Sequence, residues 1–144
     1  MSNNQQSLKQ IMDVRIQKLN EIKDSSINPY PYKFNRSHYI SEILDNEKKI
    51  IGKNISIAGR IISLRKMGKV SFVHIQDKSN KLQLYIKKDN VVNDGYDLIV
   101  RKSDIGDIIG CEGELFYTKT KELSINVKEY TMLSKSIRPL PNLK

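Results

Sequence analysis

Between Gly59 and Ile86 an aromatic ring, an amide and several cations alternate with apolar residues. Successive side chains of a strand point to opposite faces of a sheet, so this alternation predicts half-buried strands. Phe72 then falls on the polar face of one strand, and Gln83 falls on the polar face of the next. A ring that stands among cations outside the core suits stacking on a nucleic-acid base while the cations hold the backbone. These cations are Arg60, Arg65, Lys66 and Lys69.

A carboxylate on a later strand adds to this set. Leu123, Ile125 and Val127 form an apolar phase, which leaves Glu122 on the other face. A ring, an amide and a carboxylate on one face could clamp a single splayed base by its face and its Watson–Crick edge. The alternative is that Phe72 packs under a loop and that Glu122 pairs with a nearby lysine.

Catalytic and metal-binding motifs are absent from the sequence, which contains no P-loop, GxSxG, HExxH or CxxC. His38 and His74 stand far apart and predict no metal site. The single cysteine, Cys111, excludes an intramolecular disulfide and a multi-cysteine zinc site, and we expect it to be a small buried residue. Asp104 and Asp107 are typical of a turn rather than of a catalytic pair.

The composition favours a polyanionic partner. The chain has 144 residues, a net charge of +9 and an isoelectric point near 9.6, which is typical of proteins that bind nucleic acid. There is no apolar run long enough for a signal peptide or a membrane span. We therefore expect a soluble, cytoplasmic protein that does not contact a membrane.

Helical segments precede the strands. Ser7 and Gln10 resemble a capping box, and an apolar stripe at helical spacing follows from Leu8 to Ile22. This stripe must pack on its own domain, on a partner subunit or on a neighbouring domain, so a homodimer is possible. After a proline-rich linker, a short helix is expected at about 40–49, capped by Ser41 or a neighbour and ended by Gly52.

Five strands are expected after this helix, with one further short helix between the third and the fourth, around 96–100. The strands are predicted at 54–66, 70–77, 81–87, 107–118 and 122–133. Their order predicts a mainly β fold, a five-stranded Greek-key OB-fold barrel with an N-terminal amphipathic helix and short connecting helices. An SH3-like barrel is the competitor, but it would not need the helix after the third strand. Gly59 and Gly68 are expected at bends or bulges of the first strand.

A resemblance to a known family is carried by the segment GRIISLRKMGKVSFVHIQDKSNKLQLYI. This segment resembles the anticodon-binding OB-fold of class II lysyl-tRNA synthetases, and the resemblance covers nearly the whole chain. Three further segments are similar to the family's N-terminal helix with its PYP-x-x-F linker, to its fourth and fifth strands, and to its connector. They are RIQKLNEIKDSSINPYPYKF, IGDIIGCEGELFYTKTKELSI and LSKSIRPLP. The RPLP motif separates the lysyl enzymes from their aspartyl and asparaginyl relatives.

The resemblance implies four domain segments: an N-terminal helix (1–27), a linker with a short helix (28–53), an anticodon-binding OB-fold (54–134) and a connector (135–144). A class II catalytic domain that binds ATP, magnesium and lysine would follow Lys144. The implied function is recognition of the tRNA(Lys) anticodon within an enzyme that attaches lysine to its tRNA using ATP. The chain alone should then be inactive, and DNA is not an expected partner.

The resemblance also implies roles for individual residues. Phe72 would stack on the central anticodon uridine and Gln83 would hydrogen-bond that base. Arg65 would support the base and Glu122 would help to read the anticodon. Lys121 departs from the family, which commonly has glycine at this position, so lysine is expected to strain or reshape the turn beside Glu122.

Two other functions remain open on the residues themselves. A generic single-stranded nucleic-acid-binding OB-fold module would use the same ring and the same cations, and it would tolerate any base sequence. A structural or interaction domain would instead act through the apolar stripe from Leu8 to Ile22.

Overall fold

The computed structural model describes residues 7–24 and 34–137. Its helices are α1 (Leu8–Asp24), α2 (Ile40–Asp45), α3 (Glu47–Ile50) and α4 (Gly95–Leu98), with 3-10 turns at Lys88–Asn90 and Val100–Lys102. Its strands are β1 (Asn54–Met67), β2 (Val70–Gln76), β3 (Lys81–Lys87), β4 (Ile108–Tyr117) and β5 (Leu123–Ser134). The proline-rich linker up to residue 33 and the connector from residue 138 lie outside the described residues.

The five strands close into a barrel in the order β1-β2-β3-β5-β4. β1 pairs with β4 through residues 54–60 and with β2 through residues 60–67. The β3–β5 contact is parallel, and the other strand pairs are antiparallel. With α4 between β3 and β4, this topology confirms the predicted OB-fold with its N-terminal helix and short connecting helices.

The first strand is long because it belongs to both sides of the barrel. At Gly59 it passes from β4 to β2, and a Cβ there would lie 2.9 Å from the backbone oxygen of Gln76. The register with β2 shifts between Ile61 and Ser63, so the β-bulge lies close to Gly59 rather than on it. Gly68 has a φ of +70° in the β1–β2 hairpin, as expected for a bend.

The core fills the barrel interior with the apolar phase that the sequence predicted. Val73, Leu84 and Ile125 are fully buried. Tyr96 of α4 closes one end, and its hydroxyl donates to the backbone oxygen of Gly68 at 2.9 Å. Cys111 is also buried, and burial raises the pKa of its thiol, which disfavours the reactive thiolate.

The single helix expected at 40–49 is divided into α2 and α3, and the residue that precedes α2 is Tyr39 rather than Ser41. The Tyr39 backbone N–H donates to Oε1 of Glu42 at 2.8 Å. A side chain of the first helical turn therefore accepts a backbone N–H that has no acceptor within the helix. Gly52 follows α3 with a φ of +84°. Among the described residues, no helix has the length and apolar character needed to span a membrane.

Helix α1 packs on the barrel of its own chain. Its capping box is confirmed, because the Gln10 side chain accepts the Ser7 backbone N–H at 2.9 Å and the Ser7 hydroxyl accepts the Gln10 backbone N–H at 3.1 Å. Ile22 is fully buried, and Nη1 of Arg15 donates to the backbone oxygen of Ser136 at 3.2 Å. Two members of the stripe, Leu8 and Ile16, are exposed.

A buried ion cluster joins α1 to the segment before β4 and to the segment after β5. Nζ of Lys135 lies 2.6 Å from Asp104 and 2.6 Å from Asp107, and the side chains of Lys135 and Asp107 are both 0% exposed. Lys18 of α1 adds a second cation, 2.8 Å from Asp104. The expected turn is present, since the Asp104 backbone N–H donates to Asp107 at 2.8 Å, but the sequence did not reveal the lysine partners.

The two carboxylates of this cluster respond differently to burial. Burial raises the pKa of Asp107 by more than the charge of Lys135 lowers it. Burial also raises the pKa of Asp104, but hydrogen bonds from Lys135 and Lys18 outweigh it and hold that pKa below its ordinary value. The cluster is stable only while Lys135 supplies its charge, because a buried carboxylate without a cation is costly.

We expect Lys135→Met to destabilise the fold by about 3–5 kcal/mol, because it leaves the fully buried Asp107 carboxylate without its cation. Urea unfolding followed by circular dichroism measures this loss. The control is Lys128→Met at an exposed position of β5, which should change stability by about 0.5 kcal/mol or less. Equal unfolding midpoints for the two variants would show that the cluster contributes nothing.

Candidate nucleic-acid interface

The outer face of β2 and β3 carries the polar side chains that the sequence singled out. Antiparallel pairing sets Phe72 opposite Tyr85, and two residues further along β2 it sets His74 opposite Gln83. Residues two apart on a strand share a face, so these four side chains form two adjacent rows. The ring and the amide predicted to act together are therefore neighbours on one surface.

The bulge in β1 adds Arg65 to this surface. Because the register with β2 shifts between Ile61 and Ser63, Ser63 stands opposite His74 and Arg65 opposite Phe72. The guanidinium carbon of Arg65 lies 5.0 Å from the centroid of the Phe72 ring, which is within the range of a cation–π contact. The structure thus brings Arg65 and Phe72 together.

Phe72 belongs to a row of three aromatic rings. Its centroid lies 5.5 Å from that of Tyr85, and the Tyr85 centroid lies 5.6 Å from that of Phe116, with interplanar angles of 54° and 59°. Tyr85 lies two residues after Gln83 on β3, so the alternation that placed Gln83 on the polar face is the signal that could have found Tyr85. Phe116 was not foreseen, because its approach to Tyr85 depends on barrel closure.

This row lines a cavity of about 540 Å³ between the β1–β2 hairpin and the β4–β5 turn. Besides the three rings, its walls are Met67, Val70 and the segment from Tyr117 to Thr120. Phe72 is partly exposed and is not sealed under a loop. A mostly apolar recess of this size with flat walls suits a planar ring such as a nucleobase.

A second cavity of about 440 Å³ lies beside the first and contains the polar groups. His74, Gln83 and Glu122 line it together with Lys81 and Leu44. The Gln83 amide is more enclosed than its strand phase predicted: the residue is 6% exposed. Its Nε2 donates to the Ser124 hydroxyl at 2.9 Å. This hydrogen bond holds the amide in one orientation at the base of the cavity.

Glu122 is paired with a histidine. Its Oε2 lies 2.9 Å from Nε2 of His74, and the Glu122 side chain is 46% exposed. The alternative of a lysine partner for Glu122 is therefore wrong. The sequence could not pair His74 with Glu122, because His74 lies on β2 and Glu122 lies in the turn before β5, 48 positions further along the chain.

The four predicted backbone cations occupy different surroundings. Arg60, Arg65 and Lys69 are exposed. Lys66 follows Arg65 on β1 and points away from the Phe72 face, where its Nζ donates to the backbone oxygen of Arg101 at 2.7 Å. Arg65 is thus drawn to the aromatic row, whereas Lys66 is engaged elsewhere and its contact with RNA stays a prediction.

Within the described residues, no group of three or more His, Cys, Asp and Glu side chains could hold a metal ion. The groups that line the two cavities include aromatic rings, an amide, one carboxylate and one imidazole. Such groups bind a planar, hydrogen-bonding ligand by stacking and by contact with its edge.

Lys121 adopts the conformation that glycine usually supplies. Its φ is +65°, its backbone N–H donates to the Thr118 oxygen at 2.8 Å, and the Thr118 N–H donates to the Glu122 oxygen at 3.0 Å. This is the pattern of a tight turn followed by a left-handed residue in a β-hairpin. Lysine therefore keeps the expected turn beside Glu122 and does not reshape it, at a cost in backbone strain.

Comparison with known proteins gives two concordant results. The OB-fold nucleic acid binding domain family matches residues 55–133. Lysine–tRNA ligase of Carboxydothermus hydrogenoformans is 44% identical over 136 residues, which is 94% of this chain and 28% of the relative. The enzymes of Pelotomaculum thermopropionicum and Staphylococcus aureus (strain N315) are 42% and 41% identical over 140 residues, which is 97% and 91% of this chain. The chain spans 28% of the length of these curated relatives.

We expect Lys121→Gly to stabilise the protein by up to about 1 kcal/mol, because glycine removes the Cβ strain of a positive φ. Lys119→Gly in the same turn is the matched control and should cost about 0.5–1 kcal/mol, since glycine there only adds unfolded-state freedom. Urea unfolding of both variants measures the difference. A loss of stability in both would contradict strain at Lys121.

Proposed function

This chain belongs to the OB-fold nucleic acid binding domain family and matches the N-terminal part of lysine–tRNA ligases, and we propose that it binds the anticodon loop of tRNA(Lys). Its role in this proposal is recognition. It captures an unstacked anticodon base, reads the edge of that base and holds the neighbouring phosphates.

The observation that carries the proposal is the partly exposed Phe72 ring at the boundary of the two cavities. Arg65 lies 5.0 Å from the ring centroid on one side, and the polar cavity that contains Gln83 begins one row away. A base that stacks on Phe72 would therefore lie close to the Arg65 guanidinium and to the Gln83 amide at the same time. Such stacking contributes about 1–3 kcal/mol per base.

Discrimination of the base rests in this proposal on Gln83 and Glu122. The Gln83 amide is held by Ser124, and the Glu122 carboxylate is held by His74. Fixed polar groups discriminate well, because a base with the wrong edge leaves them unpaired after losing water. A uridine presents one N–H donor between two carbonyl oxygens, and an amide together with a carboxylate can match that edge.

General affinity would come from charge. The net charge is +9, and Arg60 and Lys69 are both exposed. Each phosphate contact to a single strand adds about −0.7 to the slope of log affinity against log salt. Binding should therefore weaken steeply as salt rises, whatever the sequence of the loop.

For the whole protein we propose the activity named for its relatives, the ligation of lysine to its tRNA. ATP and magnesium would then be held by a class II catalytic domain of the same polypeptide, which would act in the cytoplasm. In the described part of this chain no carboxylate or histidine cluster fits a metal ion, so we assign these residues no chemical step. A homodimer is part of the same proposal.

Titration of the chain against a lysine anticodon stem-loop, and against the same loop with cytidine at the central position, tests this function. We expect at least a tenfold preference for uridine at fixed salt, because cytidine has an acceptor at N3 and a donor at the exocyclic position, where uridine has a donor and an acceptor. Gln83→Met should reduce this preference more than it reduces the affinity for the cytidine loop. Equal binding of both loops and of a pyrimidine-rich DNA would favour the generic single-strand module instead.

Phe72→Leu should weaken binding of the lysine stem-loop by about 5- to 150-fold, which corresponds to about 1–3 kcal/mol of lost stacking. Leucine keeps apolar volume at the position, so the barrel should stay folded. Phe72→Tyr keeps the ring and is the matched control, for which we expect affinity close to that of the original chain. Unchanged affinity of the leucine variant would remove stacking from the mechanism.

A further inference from the structure

Two cations face one tyrosine ring beside the β2–β3 turn. The guanidinium carbon of Arg36 lies 3.9 Å from the Tyr39 ring centroid, and Nζ of Lys78 lies 4.6 Å from the same centroid. Both distances are within the range of cation–π contacts. We call these three residues the Arg36–Tyr39–Lys78 cluster.

Backbone hydrogen bonds hold the cluster in place. The Ile40 N–H at the start of α2 donates to Oδ2 of Asp77 at 2.8 Å, and the Ser41 N–H donates to the Ser79 hydroxyl at 3.0 Å. Oδ1 of Asp77 accepts the N–H of Ser79 and that of Asn80, at 2.7 and 3.0 Å. The chain before α2 and the β2–β3 turn are thus joined, which brings Arg36 and Lys78 to one ring although they are distant in sequence.

The cluster carries positive charge that the protein does not neutralise directly. Within the described residues, neither Arg36 nor Lys78 forms an ion pair, and both are exposed. The nearby Asp77 carboxylate already accepts hydrogen bonds from Ser79, Ile40 and Asn80. Burial raises the pKa of Asp77, but these hydrogen bonds outweigh the effect of burial and hold the pKa below its ordinary value. Two exposed cations held against one ring therefore place positive charge at one point of the surface, where it is available to an external anion.

The cluster lies along the same side of the barrel as the proposed base site. Gln76 pairs with Lys81, which lines the polar cavity, and Lys78 follows Gln76 in the turn. The path along β2 from Phe72 to Lys78 is about 20 Å at the rise of a strand. That distance exceeds the length of one nucleotide, so the cluster is too far away to touch the base that stacks on Phe72.

We propose that the Arg36–Tyr39–Lys78 cluster binds phosphate groups of the RNA backbone several nucleotides from the base at Phe72. This inference rests on the proposed function, because it assigns the cluster to the same RNA. The Tyr39 ring holds the two cations in position, so that less side-chain freedom is lost when they meet a phosphate. Phosphate contacts of this kind set orientation and general affinity, and they do not read bases.

The test compares Arg36→Gln/Lys78→Gln with the original chain, in titrations of the lysine anticodon stem-loop at several salt concentrations. Loss of two phosphate contacts should make the log–log salt slope shallower by about 1.4, while the preference for uridine over cytidine is unchanged. The matched control is Lys9→Gln/Lys128→Gln, which removes the same charge at exposed positions of α1 and β5. A charge-keeping variant, Arg36→Lys/Lys78→Arg, should retain the slope, and urea unfolding verifies that each variant is folded.

The outcomes separate this inference from the proposed function. A slope reduced beyond that of the control supports the cluster, and an equal slope overturns it, whatever the base preference. If the original chain binds both loops equally but the slope still falls, the cluster is supported as a phosphate contact and anticodon recognition is overturned. If the original chain binds neither loop, both proposals are overturned.

Discussion

The parallel contact between β3 and β5 closes the barrel, and both cavities depend on this contact. It consists of three residue pairs, 83–85 with 124–126, and the Gln83 amide adds a hydrogen bond to the Ser124 hydroxyl. Closure leaves the sheet without free edges. It also carries the β4–β5 turn to the outer face of β2 and β3, so that Glu122 meets His74. Without the β3–β5 contact, the Glu122 carboxylate would not reach the surface that the ring and the amide share.

A single extra residue in β1 decides which cation serves this surface. Strict alternation from Arg60 would point Leu64 and Lys66 outward and Arg65 inward. The shift between Ile61 and Ser63 reverses that phase, so Arg65 stands opposite Phe72. A β-bulge changes the face of every residue that follows it. The bulge therefore converts one of two adjacent cations into a partner of the aromatic row.

Charge has two separate uses in this small domain. In the interior, Lys135 pairs with Asp104 and Asp107 and so holds the segment after β5 to the segment before β4, and Lys18 of α1 pairs with the same Asp104. On the surface, Arg36 and Lys78 are held against a ring and not against carboxylates. Buried charges require partners because water is excluded, whereas exposed cations keep their charge available for an external anion.

The sequence by itself determined the strands to within two residues, the outward position of Phe72 and the order that makes an OB-fold, because alternation and turn residues are local properties of the chain. Its resemblance to a family supplied the role proposed for Arg65. Tertiary structure alone decided the phase shift in β1, the burial of Gln83, the His74–Glu122 pair and the lysine partners of Asp104 and Asp107. Each of these joins segments that are distant in sequence or depends on register, and local periodicity carries no information about either.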